Sequence, residues 1–426
     1  MADVRPFRAL RYAPDLDLAA AVCPPFDTIS PGQQRTLHER SPYNAVRIEL
    51  AEDTGGERYH RAAATLQQWR QDGTLRRDEA PGFYLYRQRF QHGGRAYTRT
   101  LLFARLRLEP WEHGAVLPHE QTFGGPKKDR GKLLRATHLN ASPVFLFYRD
   151  ADHEVAGLLA QAAEARPDAD FAGDDGGQHT LTRIHAEETV AALAARFAGR
   201  TLYVADGHHR YETALAYRDE VRSQAAGWTG EEPENFALVA LAAADDPGLL
   251  VLPIHRVAAA GAPLPEALSR LRGLFQIEDW EGGAEKLTKA LAAHGAGAFG
   301  LAAAEPPHLM LLSVRDAGGI DRLLPQERSP AWRRLDYAIA NLVILRHCLG
   351  LSEAQMSDYS TLWFTEDAGE AVEAVRGGGA RYAVILNPVS VGTVLDVADS
   401  GERMPQKSTF FYPKVPTGLV FNLLED

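Results

Sequence analysis

Asp206-Gly207-His208-His209-Arg210 stands between two segments of different periodicity. Ahead of it, Thr201-Leu202-Tyr203-Val204-Ala205 is a short apolar run that predicts a buried strand. Behind it, Tyr211-Glu212-Thr213-Ala214-Leu215-Ala216-Tyr217 has helical spacing. A glycine turn from strand to helix aims backbone N–H groups at one point, and the helix N-terminus adds partial positive charge. His208, His209 and Arg210 at that point make an anion site, where Arg210 can hold a phosphate through two parallel hydrogen bonds. Asp206 also suits a helix cap, but four polar, chemically capable residues around one glycine exceed what a cap needs.

Outward from this turn the pattern predicts alternating strands and helices. Strands are expected at 144–148, 181–184 and 236–243, with a helix at 187–197. Residues 83–90 and 97–108 read as two strands of a hairpin turning through His92-Gly93-Gly94. Ser30-Pro31 opens a short helix with Ser30 as its cap, and Tyr59, Ala62, Ala63, Leu66 and Trp69 form the apolar stripe of another. Residues 45–50 alternate like a half-exposed strand. From 263 to about 314, helices alternate with apolar strands, and a further helix is expected at 337–348.

The chain of 426 residues is long enough to bury a sizeable core. Its 45% hydrophobic and 24% charged residues fit a globular protein. A net charge of −10 argues against a nucleic-acid scaffold. Cys23 and Cys348, far apart, indicate neither a disulfide framework nor a zinc cluster. No run reaches the length of a membrane span and no apolar signal segment opens the chain. A cytoplasmic protein with neither nucleic-acid nor membrane partner is expected.

Three further segments carry candidate chemistry. Residues 111–132 read as a long polar loop, the kind that is usually functional. It holds His119-Glu120 with Thr122, a carboxylate beside an imidazole that suits proton transfer. It also holds Lys127-Lys128-Asp129-Arg130, cations able to cover a polyphosphate or simply to form a solvated face. The tail, Met404-Pro405-Gln406-Lys407-Ser408-Thr409 with Tyr412-Pro413-Lys414, offers charges and hydroxyl donors that suit phosphate oxygens. Asp27, stiffened by Pro24-Pro25, is a second carboxylate candidate. Asn44, His255-Arg256 and Asp245-Asp246 are weaker signals, each equally explained by a turn or an ion pair. No GxSxG, CxxC, HExxH or GxxxxGK[ST] motif is present. Anion handling, most naturally phosphoryl transfer, is what remains.

The chain resembles the DUF1015 family over nearly its whole length. The resemblance runs through Val4-Arg5-Pro6-Phe7-Arg8-Ala9-Leu10-Arg11-Tyr12, Pro24-Pro25-Phe26-Asp27-Thr28-Ile29-Ser30, Pro42-Tyr43-Asn44, the His119-Glu120 loop, Asp206 to Arg210, Pro253-Ile254-His255-Arg256 and the tail from Met404 to Lys414. The Asp206–Arg210 segment is also similar to the ParB/sulfiredoxin-like superfamily, and within it to the free L-serine kinases. That superfamily binds phosphates on a Gly-x-x-Arg turn, here Gly207-His208-His209-Arg210. The resemblance implies an α/β fold with a mixed sheet, a ParB/sulfiredoxin-like core elaborated by further α/β segments. It implies phosphoryl transfer to free L-serine, giving O-phospho-L-serine, with pyrophosphate or a nucleotide as donor and Mg²⁺ bridging donor oxygens.

The expected layout is a catalytic core at 1–260, an additional α/β region at 261–400 and a tail at 401–426 that returns to the active site. The expected phosphate-binding residues are Asp206, Gly207, His208, His209, Arg210, Lys128, Lys407, Ser408, Thr409 and Lys414. Glu120 or Asp27 takes the serine proton, with His119 and His209 beside it. A phosphohydrolase using the same pocket and a phosphate-binding regulatory module are the alternatives left open.

Overall fold

In a computed structural model of the chain, which describes residues 2–53, 55–120 and 124–425, the apolar run ahead of Asp206 forms the strand Leu202–Asp206. The chain divides into two compact units. The first takes Met1–Pro118, Thr122–Leu250 and Pro413–Asp426; the second takes His119–Gln121 and Val251–Tyr412. The division therefore falls at residue 250, and the tail is shared, with 401–412 in the second unit and 413–426 in the first.

The first unit is built on a mixed sheet of nine strands among the described residues. In chain order they are β1 (Val4–Arg5), β2 (Phe83–His92), β3 (Arg95–Arg107), β4 (Val116–Leu117), β5 (Val144–Tyr148), β6 (Ala169–Ala172), β7 (Gln178–Ile184), β8 (Leu202–Asp206) and β9 (Phe236–Ala243). Their spatial order is β4-β8-β5-β9-β3-β2-β7-β6, with β1 beside β3. The β8–β4 and β9–β5 pairs are parallel and the rest antiparallel. The hairpin expected at Gly93-Gly94 is present, with both glycines at positive φ (56° and 76°), as a tight two-residue turn requires. Leu146, Leu202, Val204, Val239 and Leu241 are fully buried in the core of this sheet, together with Leu193 and Phe197 of the helix Glu187–Phe197.

Two expectations fail here. Residues 45–50 are not a strand: Val46–Glu49 is a single helical turn, α1. The Asn44 side chain is fully buried; its Oδ1 accepts from the Val46 N–H (3.0 Å) and its Nδ2 donates to Ala20 (2.7 Å), which starts the turn. Burial covers Val46, Ile48 and Glu49 alike, so the apparent alternation does not separate an inner from an outer face. The stretch 111–132 is not one loop either. After the helix α2 (Arg58–Gln71), a third helix, α3, runs Gly124–Thr137 and takes in the whole Lys127–Arg130 run. Its charges are paired on neighbouring helices: Lys127 with Glu212, Asp129 with Arg58, Arg130 with Glu49. Helix α4 (His208–Gln224) follows β8 directly, as expected.

The second unit carries an antiparallel sheet. Its strands are β10 (His255–Ala258), β11 (Phe275–Asp279), β12 (Ala298–Ala303), β13 (His308–Val314), β14 (Leu362–Thr365) and β15 (Tyr382–Ile385), in the order β11-β13-β12-β15-β10-β14. Val257, Leu287, Leu291, Leu311, Val372 and Ile385 form its core.

Candidate active site

At the end of β8 the register against β5 shifts between Val204 and Asp206, an irregularity of the bulge kind that re-aims a side chain. The Asp206 carboxylate then receives two cations. Lys414 Nζ lies 3.0 Å from Oδ1 and Arg210 Nη2 lies 2.8 Å from Oδ2. Burial pushes the Asp206 carboxyl upward, but Lys414 and Arg210, with His208, outweigh it and hold it well below the usual carboxylate range. Two cations against one carboxylate leave a net positive charge at the N-terminus of α4, where the helix dipole adds to it. This is also the carboxyl end of a strand in an open α/β sheet, the usual place for a ligand in such folds.

Gly207 permits this geometry in two ways. Its φ is +89°, and a Cβ there would come within 2.9 Å of the Arg210 guanidinium. Arg210 also donates to the Pro143 carbonyl, so two of its nitrogens are committed inside the protein. Lys414 is placed by its neighbour: the Pro413 carbonyl accepts from Arg99, a fully buried arginine on β3 whose Nη2 donates to Gln88 (2.7 Å) and whose guanidinium lies over Phe145.

The second unit gathers a different set. His119 is fully buried, and its Nε2 is 2.8 Å from Thr409 Oγ1. Its carbonyl accepts from the Met404 N–H at 2.7 Å, pairing Glu120 with Met404 as a parallel bridge. Glu120 Oε1 accepts from the Lys407 backbone N–H at 2.7 Å, and Lys407 has a φ of +56°, unusual for a residue with a side chain. Ser408 is fully buried, its hydroxyl donating to Pro405 at 2.5 Å. Arg256, fully buried on β10, donates to Ile254, Asn341 and the Gln406 carbonyl, and packs on the Tyr337 and Phe364 rings. Burial pushes its pKa down to about 10, with Tyr337 and Glu120 acting in the opposite direction.

The expected residues thus fall into two groups, each within one unit. Asp206, Gly207, His208, His209, Arg210 and Lys414 belong to the first; His119, Glu120, Lys407, Ser408 and Thr409 to the second. Thr122 lies outside the described residues. Lys128 is exposed on α3. Asp27 is exposed on the single turn Phe26–Thr28 of the first unit and makes no ion pair among the described residues. Asp246 accepts from the Thr100 and Gly248 N–H groups and serves its own turn. Arg99 and Glu49 carry no signal in the sequence reading, and Arg256 only a weak one. An arginine within an apolar strand is the one signal that marks Arg99 and Arg256. A larger cavity of about 460 Å³ in the first unit is lined by Arg11, Asp78 and Asp168, but Arg11 is bound to Asp78 through two nitrogens (2.7 and 3.0 Å) and its charge is spent there.

Among solved structures, a conserved hypothetical protein from Pyrococcus furiosus shares 14% identity at a TM-score of 0.36, over 72% of this chain and 92% of its own. A free serine kinase in complex with AMP shares 13% at a TM-score of 0.33, over 70% and 83%. SbnI from Staphylococcus aureus, truncated at its C-terminus, shares 9% at a TM-score of 0.32, over 74% and 86%. A search among curated proteins gives no match. A family model described as "Protein of unknown function (DUF1015)" matches residues 4–338. With most of its length under that one model, and with the Asp206–Arg210 turn inside it, the chain belongs to the DUF1015 family.

Proposed function

We propose that this protein is a phosphotransferase acting on the hydroxyl of free L-serine. The observation that carries the reading is the pairing of Lys414 and Arg210 on Asp206 at the N-terminus of α4. Two cations at a helix N-terminus, only partly offset by the one carboxylate that positions them, attract a phosphoryl group and fix where it sits. In this reading Arg210, His208, His209 and Lys414 hold the transferred phosphoryl. For the rest of the donor, pyrophosphate or a nucleotide, the sequence offers Lys407, Ser408 and Thr409. The buried Ser408 hydroxyl shapes the tail through Pro405.

As serine Oγ bonds to phosphorus its proton passes to a carboxylate, for which the sequence offers Glu120 or Asp27, and the bond from phosphorus to the bridging oxygen breaks. The leaving group is phosphate from pyrophosphate, or AMP from ADP. Glu120 is preferred over Asp27 because its carboxylate is fixed by a backbone N–H, whereas Asp27 lies on an exposed turn. No group of three His, Cys, Asp or Glu side chains suited to a metal occurs among the described residues. Mg²⁺ in this reading is therefore carried by the donor's phosphate oxygens, whose charge it offsets. Cys23 and Cys348 are buried free thiols, and among the described residues no helix is long and apolar enough to cross a membrane.

The test is direct. Purified protein is incubated with L-serine, Mg²⁺ and, separately, pyrophosphate, ADP or ATP, and O-phospho-L-serine is assayed. Product with one donor identifies it; release of phosphate without phosphoserine would mean that water is the acceptor.

A further inference from the structure

In the first unit a cavity of about 50 Å³ is lined by residues of α1, α3 and the first turns of α4. A water needs roughly 10–15 Å³ of such space, so the cavity suits about three to five non-hydrogen atoms. Its walls are apolar, from Leu133, Leu134 and Leu139, except at a few points. One is Glu49, 2% exposed, whose Oε1 has no hydrogen-bond partner. Arg130 Nη1 is 3.5 Å from that oxygen, beyond hydrogen-bond length, because Arg130 spends its N–H groups on the Glu49 carbonyl and on Asp129. A second point is Thr213, 6% exposed, whose Oγ1 also lacks a partner. A third is Arg210, one turn before Thr213 on α4, with N–H groups left beyond those given to Asp206 and Pro143.

A buried carboxylate oxygen and a buried hydroxyl, both unsatisfied, call for a donor with several N–H groups. An ammonium has three and carries the right charge. Arg210, on the same cavity, calls for an anion. A negative point and a positive point around a space of this size match the backbone end of a small amino acid.

We propose that this cavity binds the acceptor amino acid, with its α-ammonium on Glu49 and Thr213 and its carboxylate toward Arg210. This rests on the serine phosphotransferase reading for the identity of the ligand, and it makes Glu49 a specificity residue. The hydroxyl of the bound acceptor is thereby directed to the end of α4 where Arg210 meets Asp206.

Calorimetric titration of the full chain with L-serine, and with 3-hydroxypropionate, which is serine without its ammonium, tests it. Wild type is expected to prefer L-serine, and Glu49→Gln to weaken L-serine binding roughly 10- to 100-fold, as for loss of a charge-assisted hydrogen bond. The same variant should leave 3-hydroxypropionate binding unchanged. Because Glu49→Gln removes a buried counter-charge from Arg130, its fold is checked by melting. If it does not fold, Thr213→Val decides, with an expected loss of about fivefold for one neutral hydrogen bond. Folded variants that bind L-serine as wild type does, or a wild type that binds no L-serine, overturn the proposal. If wild type makes phosphoserine while the variants keep its serine KM, only the cavity assignment falls. If serine binds and Glu49→Gln weakens it, but no donor yields phosphoserine, the cavity stands and the phosphotransferase reading falls.

Discussion

The first unit keeps most of its clustered charged side chains on consecutive residues, Asp206 to Arg210, with Lys414 brought in from far along the chain, while the second assembles His119, Glu120, Arg256 and Lys407 entirely from separate segments. The difference follows from the sheets. A strand leading into a helix at the end of an α/β sheet gathers backbone N–H groups and partial positive charge at one place by local geometry, and Lys414 adds a second cation to it. The antiparallel sheet of the second unit offers no comparable turn to its cluster. Its carboxylate is held by the backbone of an irregular tail, and the tail by a buried arginine. One site is written in a motif; the other is written in contacts.

The comparison breaks most visibly at Glu120. If the second cluster supplies the base, Glu120→Gln should lower kcat by about a thousandfold, the middle of the range for general base catalysis. Calorimetry should show donor and serine binding largely kept. Loss of binding without loss of kcat would return Glu120 to a structural role. The first cluster is expected to be less severe. Arg210→Lys keeps the charge but loses the planar fork that spans Asp206 and Pro143. Turnover should fall by about two orders of magnitude, the scale for losing one preorganised donor, with an unchanged melting profile. Lys407→Ala should raise the donor KM by about tenfold, as for one charge-assisted contact, and leave the serine KM within experimental error. A shift in the serine KM alone would reverse the assignment of the tail.

Acid titration sharpens the comparison without any substrate. Burial, followed by Arg256 and opposed by Asp367, pushes the His255 pKa down to about 4. The folded state keeps it neutral, so its contribution is present above the unfolded value of about 6.5 and lost as pH falls toward 4. At about 1.4 kcal/mol per pH unit, the loss is about 3 kcal/mol. Asp336 has the opposite sign. Burial pushes it up to about 6, opposed by the Gly297 N–H, so its contribution is present below the ordinary carboxylate value and lost as pH rises through 6. Melting curves from pH 4 to 7 should show His255→Gln removing the acid loss and Asp336→Asn removing the opposing gain. Asp206, held low by its cations, should contribute a loss only at the acid end of this window, below about pH 5, as the unfolded carboxyl begins to take up its proton. The smallest effect is expected at Asp27→Asn, within about twofold of wild-type turnover, as for a surface change away from any named interaction. Abolished turnover there, with Glu120→Gln mild, would exchange their roles.

Much of the first unit was legible because its periodicities are clean. The strand before Asp206, the helix after it and the Gly93-Gly94 hairpin all follow local rules. Residues 45–50 misled because a strand reading needs only alternation. What decides the helix is the buried Asn44 side chain bonding to Ala20 and to the Val46 N–H, and a partner 24 residues away is invisible to a local pattern. The Lys127–Arg130 run looked like a solvated loop because its counter-charges, Glu212, Arg58 and Glu49, lie on three other helices. Arg99 was missed for a related reason. Inside a strand it reads as an outward residue, and only its bonds to Gln88 and Pro413 reveal that it is buried. Glu120 was found from its neighbours in the chain, but its actual partner is Lys407, and His119 turns instead to Thr409.

The return of the chain to the first unit sets the order of events during synthesis. The first unit is left at residue 250 and re-entered at 413. Arg99 waits for Pro413, Asp206 for Lys414, Cys23 for Thr417 and Leu10 for Phe421. A ribosome must therefore make the whole of 251–412 before the first unit can close. Until then the nascent chain offers Asp206 its partner Arg210, and one of its two paired cations has yet to be translated. Contacts across so many residues slow folding and leave partly built cores exposed to association.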